Sequence, residues 1–129
     1  MIGQAVTWDE VGEVMSESMS AALFAVAKEV FVGARDRTPI RTGFLSSEWT
    51  ISGSGEAADV TNPGGSFDPA PDPSPPEDQS LKTLYVLNPT NYAIFVEYGT
   101  VHMEPRYMLT LAAAEVQARV ESIVAPYIP

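Results

Sequence analysis

The chain has 129 residues, 45% of them hydrophobic, with no cysteine and a formal net charge of −10. Its length suits one domain with one core, and the lack of cysteine rules out disulfides and thiolate metal sites and suits a cytosolic assembly compartment. There is no run of about 20 apolar residues to span a membrane, no basic-then-apolar leader that would signal secretion, and no basic stripe for free-standing nucleic-acid binding.

Thr7 and Glu10 have the Thr-x-x-Glu spacing of a capping box. A long helix is expected over residues 8–37, ending where Pro39 disfavours helical geometry at Thr38. Met15, Met19, Ala22, Val26 and Val30, with Val11 at the edge, recur at helical spacing and form one apolar face. Glu13, Glu17, Lys28 and Arg35 mark the opposite face, yet Phe24 and Phe31 project among them. A helix of this length would run about 45 Å. Its second face meets either the chain's own sheet or a neighbouring subunit, which makes Phe24 and Phe31 candidate interface residues.

Residues 44–52 alternate, with Leu45, Ser47, Trp49 and Ile51 on one side, as a half-buried strand does. Residues 81–87 and 92–98 read as two further strands. Asn88-Pro89-Thr90-Asn91 between them is turn chemistry, so a hairpin is expected. The final helix is expected to begin near Pro105. It would bury Leu109, Ala112, Ala113, Val116, Val120 and Ile123 and stop at Pro126. These elements predict a single α+β domain over residues 1–129, with the N- and C-terminal helices packed on a small antiparallel sheet.

Residues 53–79 interrupt this pattern with six prolines, four glycines and one aromatic residue, Phe67. Glu56, Asp59, Asp68, Asp72, Glu77 and Asp78 lie here with no lysine or arginine; taking these six charges from −10 leaves −4 for the rest. The segment is too poor in apolar residues to fold alone and reads as a mobile acidic loop at a hairpin tip. It is either a tolerated insertion or an arm that orders on a partner.

Little points to catalysis. The one histidine, His102, has only Glu97 and Glu104 nearby at irregular spacing, a poor match to a zinc site or a catalytic dyad. Gly53-Ser54-Gly55 is not a nucleophile elbow, and no phosphate-binding loop with its lysine is present. No catalytic, cofactor or metal residue is therefore assigned. Glu97 interrupts an apolar run. It reads either as an exposed edge-strand residue or as the partner of Arg41 or Arg106. Gly43 and Gly99 stand where a positive φ is cheap only for glycine.

In chain order the motifs are a long helix, then Thr38-Pro39-Ile40-Arg41-Thr42-Gly43-Phe44-Leu45 with Trp49. After the insert come Tyr92-Ala93, Val96-Glu97-Tyr98-Gly99-Thr100 and Glu104-Pro105-Arg106-Tyr107. Together they resemble the minor tail, neck or tail-completion family of long-tailed phages and prophages. The resemblance covers the chain outside the insert. In the family the proline more often directly precedes the aromatic, which leaves the start of the last helix open here.

The resemblance implies a structural virion protein, made in the host cytoplasm and placed at the head–tail junction. It implies a cyclic homo-oligomer, with a hexamer as one size, that contacts connector or stopper proteins and tail terminator or tail tube proteins. DNA would pass through as cargo, and no membrane is involved. The competing class is a non-enzymatic acidic protein that docks on a basic partner.

Overall fold

The computed structural model describes residues 1–7, 17–41, 43–76 and 83–127. The expected features at the side chains of Thr7 and Glu17, and at Trp8, Glu10, Val11, Glu13, Met15, Thr42 and Leu81, lie outside the described residues. The elements run β1 (Ile2–Thr7), α1 (Glu17–Arg37), α2 (Phe44–Ser47), β2 (Thr50–Ser52), β3 (Thr83–Asn88), α3 (Ala93–Tyr98), α4 (Met108–Ala118) and α5 (Val120–Val124). A single 3-10 turn, Ala125–Tyr127, follows. The fold is α+β, as the sequence patterns imply.

The sheet has the order β1-β3-β2, antiparallel throughout. β3 is its centre, pairing with β1 from Ile2↔Asn88 to Thr7↔Thr83 and with β2 from Thr50↔Leu87 to Ser52↔Tyr85. Leucine, tyrosine and valine suit a strand enclosed on both faces. Leu84 and Val86 join the core cluster, whereas Leu87 is buried on the opposite side.

α1 lies between the sheet and the C-terminal helices, touching all three strands as well as α4 and α5. Its buried stripe is Ala22, Leu23, Val26, Ala27, Val30, Phe31 and Ala34, wider than the face expected from sequence because both sides of the helix are packed. Phe31 is only 2% exposed, and Phe24 packs partly buried against the core. The second face of the helix therefore meets the chain's own interior at Phe31, and that residue offers no surface for another subunit. α4 contributes Met108, Leu109, Ala112 and Val116 to the same core.

Three expectations are corrected. Residues 44–52 are not one strand: residues 44–47 form a helical turn, and only Thr50–Ser52 pairs with β3. Phe44, Leu45 and Ser46 are consecutive buried residues, which alternation cannot produce but a turn of helix can. Residues 92–98 form no hairpin strand; Ala93–Tyr98 is helical and buries Ala93 and Glu97, four residues apart. The last long helix starts at Met108 and not near Pro105, because Arg106 and Tyr107 donate their backbone N–H groups to the carbonyls of Val96 and Glu97 at 2.9 and 3.0 Å.

The acidic insert, described through residue 76, returns along the body at several points. Val60 bridges to the Pro89–Asn91 turn through backbone hydrogen bonds of 2.8 and 2.9 Å. Phe67 meets Phe44 edge-on at 5.0 Å. The buried Ala70 donates its N–H to the Ser46 carbonyl at 3.0 Å. Arg35 Nη1 holds Asp72 at 2.7 Å and the Ala70 carbonyl at 3.0 Å. The prolines keep the segment from forming regular structure, while these contacts tie it to α1 and α2.

Candidate functional site

The first motif closes α1 and starts α2. Thr38 Oγ1 donates to the Ala34 carbonyl at 2.7 Å and accepts the indole N–H of Trp49 at 2.8 Å. All three residues are buried. Threonine ends the helix by bonding back to its own last turn, and the same hydroxyl satisfies a tryptophan that would otherwise lie unpaired in the core. Pro39 prevents continuation. Gly43 has φ 84°, and a Cβ there would collide with the Phe67 carbonyl, so only glycine lets the insert cross at this point. Leu45 fills the core, and its carbonyl accepts from Asn88 Nδ2 at 2.8 Å.

Asn88 is a further structural residue of this region, one that the motif pattern does not single out. Its side chain ties α2 to the end of β3, and its Oδ1 accepts from the Thr90 N–H at 3.1 Å. The Asn-Pro pair was the available signal, because a buried asparagine before a proline can shape the turn with its own side chain.

The second motif is organised by Glu97, which is 1% exposed. Its carboxylate accepts from the backbone N–H of Leu109 at 2.9 Å, from that of Thr110 at 2.8 Å, and from Thr110 Oγ1 at 2.6 Å. These are N–H groups of the first turn of α4, which have no partner inside the helix. Tyr107, the residue flanking that helix, makes no side-chain cap and sits in a left-handed conformation at φ 49°. Glu97 supplies the missing cap from twelve residues upstream, and its negative charge faces the positive end of the helix dipole.

The pairing of Glu97 with Arg41 or Arg106 is thereby corrected, as is the exposed-edge alternative. Both oxygens are taken by α4, and no ion pair among the described residues includes Glu97. Gly99, at φ 79° and ψ 175°, adopts a conformation essentially reserved for glycine. It lets the chain fold into the Thr100–Met103 turn, where Thr100 Oγ1 accepts from the His102 N–H at 3.1 Å.

The motifs, distant in sequence, converge on one open cleft of 540 Å³. Pro39, Arg41, Gly43, Phe44 and Leu45 line it together with Tyr92, Val96, Met103 and Arg106. Ala93 is buried beneath. Burial pushes the Tyr92 phenol above its usual range, with the charge of Glu48 adding to the effect, so it remains neutral. Pro105 is partly buried and lies against Gly99.

Beside the cleft, Ile94, Phe95 and Tyr98 share the outer face of α3 and stand in solvent; Phe95 is 53% and Tyr98 59% exposed. Val101, at the tip of the next turn, is 95% exposed. His102 is exposed on the same turn. Among the described residues, no group of three or more His, Cys, Asp or Glu side chains could hold a metal ion, and no helix is long and apolar enough to cross a membrane.

Three polar side chains of this region, Thr38, Asn88 and Glu97, thus serve a helix end, a turn and a helix cap. Residues 7–99 match the family described as "Bacteriophage HK97-gp10, putative tail-component", and the chain belongs to this HK97-gp10-like family of phage tail components. Among curated proteins and among solved structures, nothing matches.

Proposed function

We propose that this chain is a structural virion protein that completes the tail at its head-proximal end. In this reading several copies close into a ring, the ring joins the tail to connector or stopper proteins of the filled head, and DNA passes through it. The role needs no catalysis, cofactor or metal. The observation that carries the reading is the family membership over residues 7–99, together with the structural parts that Thr38, Gly43, Glu97 and Gly99 take in the fold. The apolar end around α3 supplies the kind of surface that assembly requires. The net charge of −10 fits a ring that does not hold the DNA backbone.

The test is the absolute mass in solution by light scattering, first alone and then with the connector and tail tube proteins of the same phage. A discrete closed oligomer in either condition supports the ring. A chain that stays monomeric and binds neither protein overturns it.

A further inference from the structure

The end of the molecule built from α3, the Thr100–Met103 turn and the start of α4 combines two features that a soluble acidic chain does not otherwise show. The first is apolar area. Ile94, Phe95 and Tyr98 lie on one helix face. Val101 and Met103 follow in the turn closed by the Thr100–Met103 backbone pair. Tyr107 is held beside the last turn of α3 by its N–H on the Glu97 carbonyl at 3.0 Å. All six side chains are exposed. With aromatic residues near 150–250 Å² each and the aliphatic ones somewhat smaller, they leave roughly 700 Å² in solvent, close to the ~800 Å² that one partner contributes to a stable interface.

The second feature is charge. Of the five arginines, Arg35, Arg37 and Arg119 each pair with a carboxylate. Arg41 and Arg106 have no carboxylate partner among the described residues, and both line the cleft that shares Met103 with the apolar surface. The free positive charge of the arginines is thus gathered at the apolar end. One exposed carboxylate, Glu104, follows Met103 at this end; away from it Glu56, Asp68 and Glu121 are exposed, and none of the four forms an ion pair among the described residues.

We propose that this basic-rimmed apolar end seats a second copy of the same chain, apolar contact at α3 being flanked by that copy's carboxylates on Arg41 and Arg106. The contact is head-to-tail, between two unlike surfaces, as closure into a ring requires. The inference rests on the ring reading and adds to it where one subunit meets the next: at α3, not at the Phe31 side of α1. The apolar part supplies the affinity, and the arginines set the orientation and make the contact sensitive to salt.

The experiment measures mass by light scattering over a concentration and salt series for the wild type, Phe95→Glu, the double variant Arg41→Glu/Arg106→Glu, and Ser122→Glu. The last adds a charge at an exposed position of α5. If the wild type closes only with the connector or tail tube protein, the variants are compared in its presence. Phe95→Glu is expected to weaken association roughly thirtyfold, as loss of a central aromatic anchor does. The double arginine variant is expected to weaken association and to flatten its salt dependence. Ser122→Glu leaves it unchanged. Melting temperatures near the wild-type value in all variants exclude unfolding as the cause, since every altered side chain is exposed.

An oligomer that persists in both α3-end variants overturns this contact and leaves the ring reading standing. A two-fold dimer lost in both overturns the head-to-tail contact and the ring together, because such a pair uses the same patch on both copies and closes on itself. A wild type that is monomeric in every condition overturns both.

Discussion

Glu97 offers the sharpest test of how this fold is held. Replacing it with alanine removes a buried carboxylate that accepts three hydrogen bonds. The N–H groups of Leu109 and Thr110 then face an apolar void. Hydrogen bonds to a charged group contribute about 1.5–3 kcal/mol each, and a buried donor left unsatisfied costs about 1–3 kcal/mol. These figures overlap because they describe the same two N–H groups, and water entering the void recovers part of the loss, so a net cost of about 3–4 kcal/mol is expected.

For a chain of this size that corresponds to a fall in melting temperature of roughly 10 °C. Glu97→Gln keeps the shape and one acceptor oxygen but loses the charge facing the helix dipole and turns an amide N–H₂ toward backbone donors. About 2 kcal/mol is expected there. The assay is thermal or urea unfolding of Glu97→Ala, Glu97→Gln and, as controls, Arg41→Ala and Arg106→Ala. If Glu97 served an ion pair with either arginine, that arginine variant would lose stability comparably. The capping account requires the arginine variants to stay within about 0.5 kcal/mol of wild type. A fall of less than about 3 °C in Glu97→Ala, or an equal fall in either arginine variant, refutes the reasoning.

Three further outcomes are expected. Gly99→Ala places a Cβ 2.8 Å from both the Met103 carbonyl oxygen and the Pro105 nitrogen at φ 79°, and Gly43→Ala drives one into the Phe67 carbonyl; each should cost about 2–4 kcal/mol in urea unfolding, and an unchanged midpoint in either would contradict the geometry. Thr38→Val strands the Trp49 indole N–H and should cost about 1–3 kcal/mol, while Thr38→Val combined with Trp49→Phe should cost less than the two single changes added together; strict additivity in that cycle would show that the hydroxyl and the indole do not interact. The Arg35 hydrogen bond holds the Asp72 carboxyl below its usual range, so the strap it makes is fully present above the ordinary carboxylate pKa of about 4 and is lost as the pH falls through the lower folded value; hydrogen exchange at the Ala70 amide, corrected for intrinsic rates, should accelerate on acidification and already at neutral pH in Asp72→Asn, and identical protection in that variant would remove the strap from the account.

Much of the fold was legible. α1 ends at Arg37, where Thr38-Pro39 forbids more helix. β3 falls on the leucine- and valine-rich run, and the α4 stripe of Leu109, Ala112 and Val116 is buried. Gly43 and Gly99 both have positive φ. These features depend on neighbours a few residues away, which is the range that periodicity and local sterics report.

Other features were not legible, for equally physical reasons. Ala93-Ile94-Phe95-Val96-Glu97-Tyr98 is rich in β-branched and aromatic residues and reads as a strand. It is a helix that turns Phe95 and Tyr98 outward and Glu97 inward. β1 carries too few apolar residues to announce itself, and it exists by pairing along β3. Phe31 reads as an outer-face residue until α1 is packed on both sides. The cleft was invisible as a unit because its lining comes from segments about fifty residues apart in sequence, brought together only by the tertiary fold.

The sequence by itself determined where helices stop, where glycine is obligatory, that the acidic excess is concentrated in residues 53–79, and that the chain carries the motif pattern of a phage tail component. Tertiary structure alone decided what the motif residues do. A buried carboxylate is tolerable only with donors aimed at it, and those donors are the first-turn N–H groups of a helix that begins eleven residues later. No spacing rule on Glu97 could name them, because the docking of α4 on α1 is what places them there. Burial of Ala93 and Glu97 leaves α3 with its aromatic face outward, so this exposed apolar surface was set by packing and not by hydropathy.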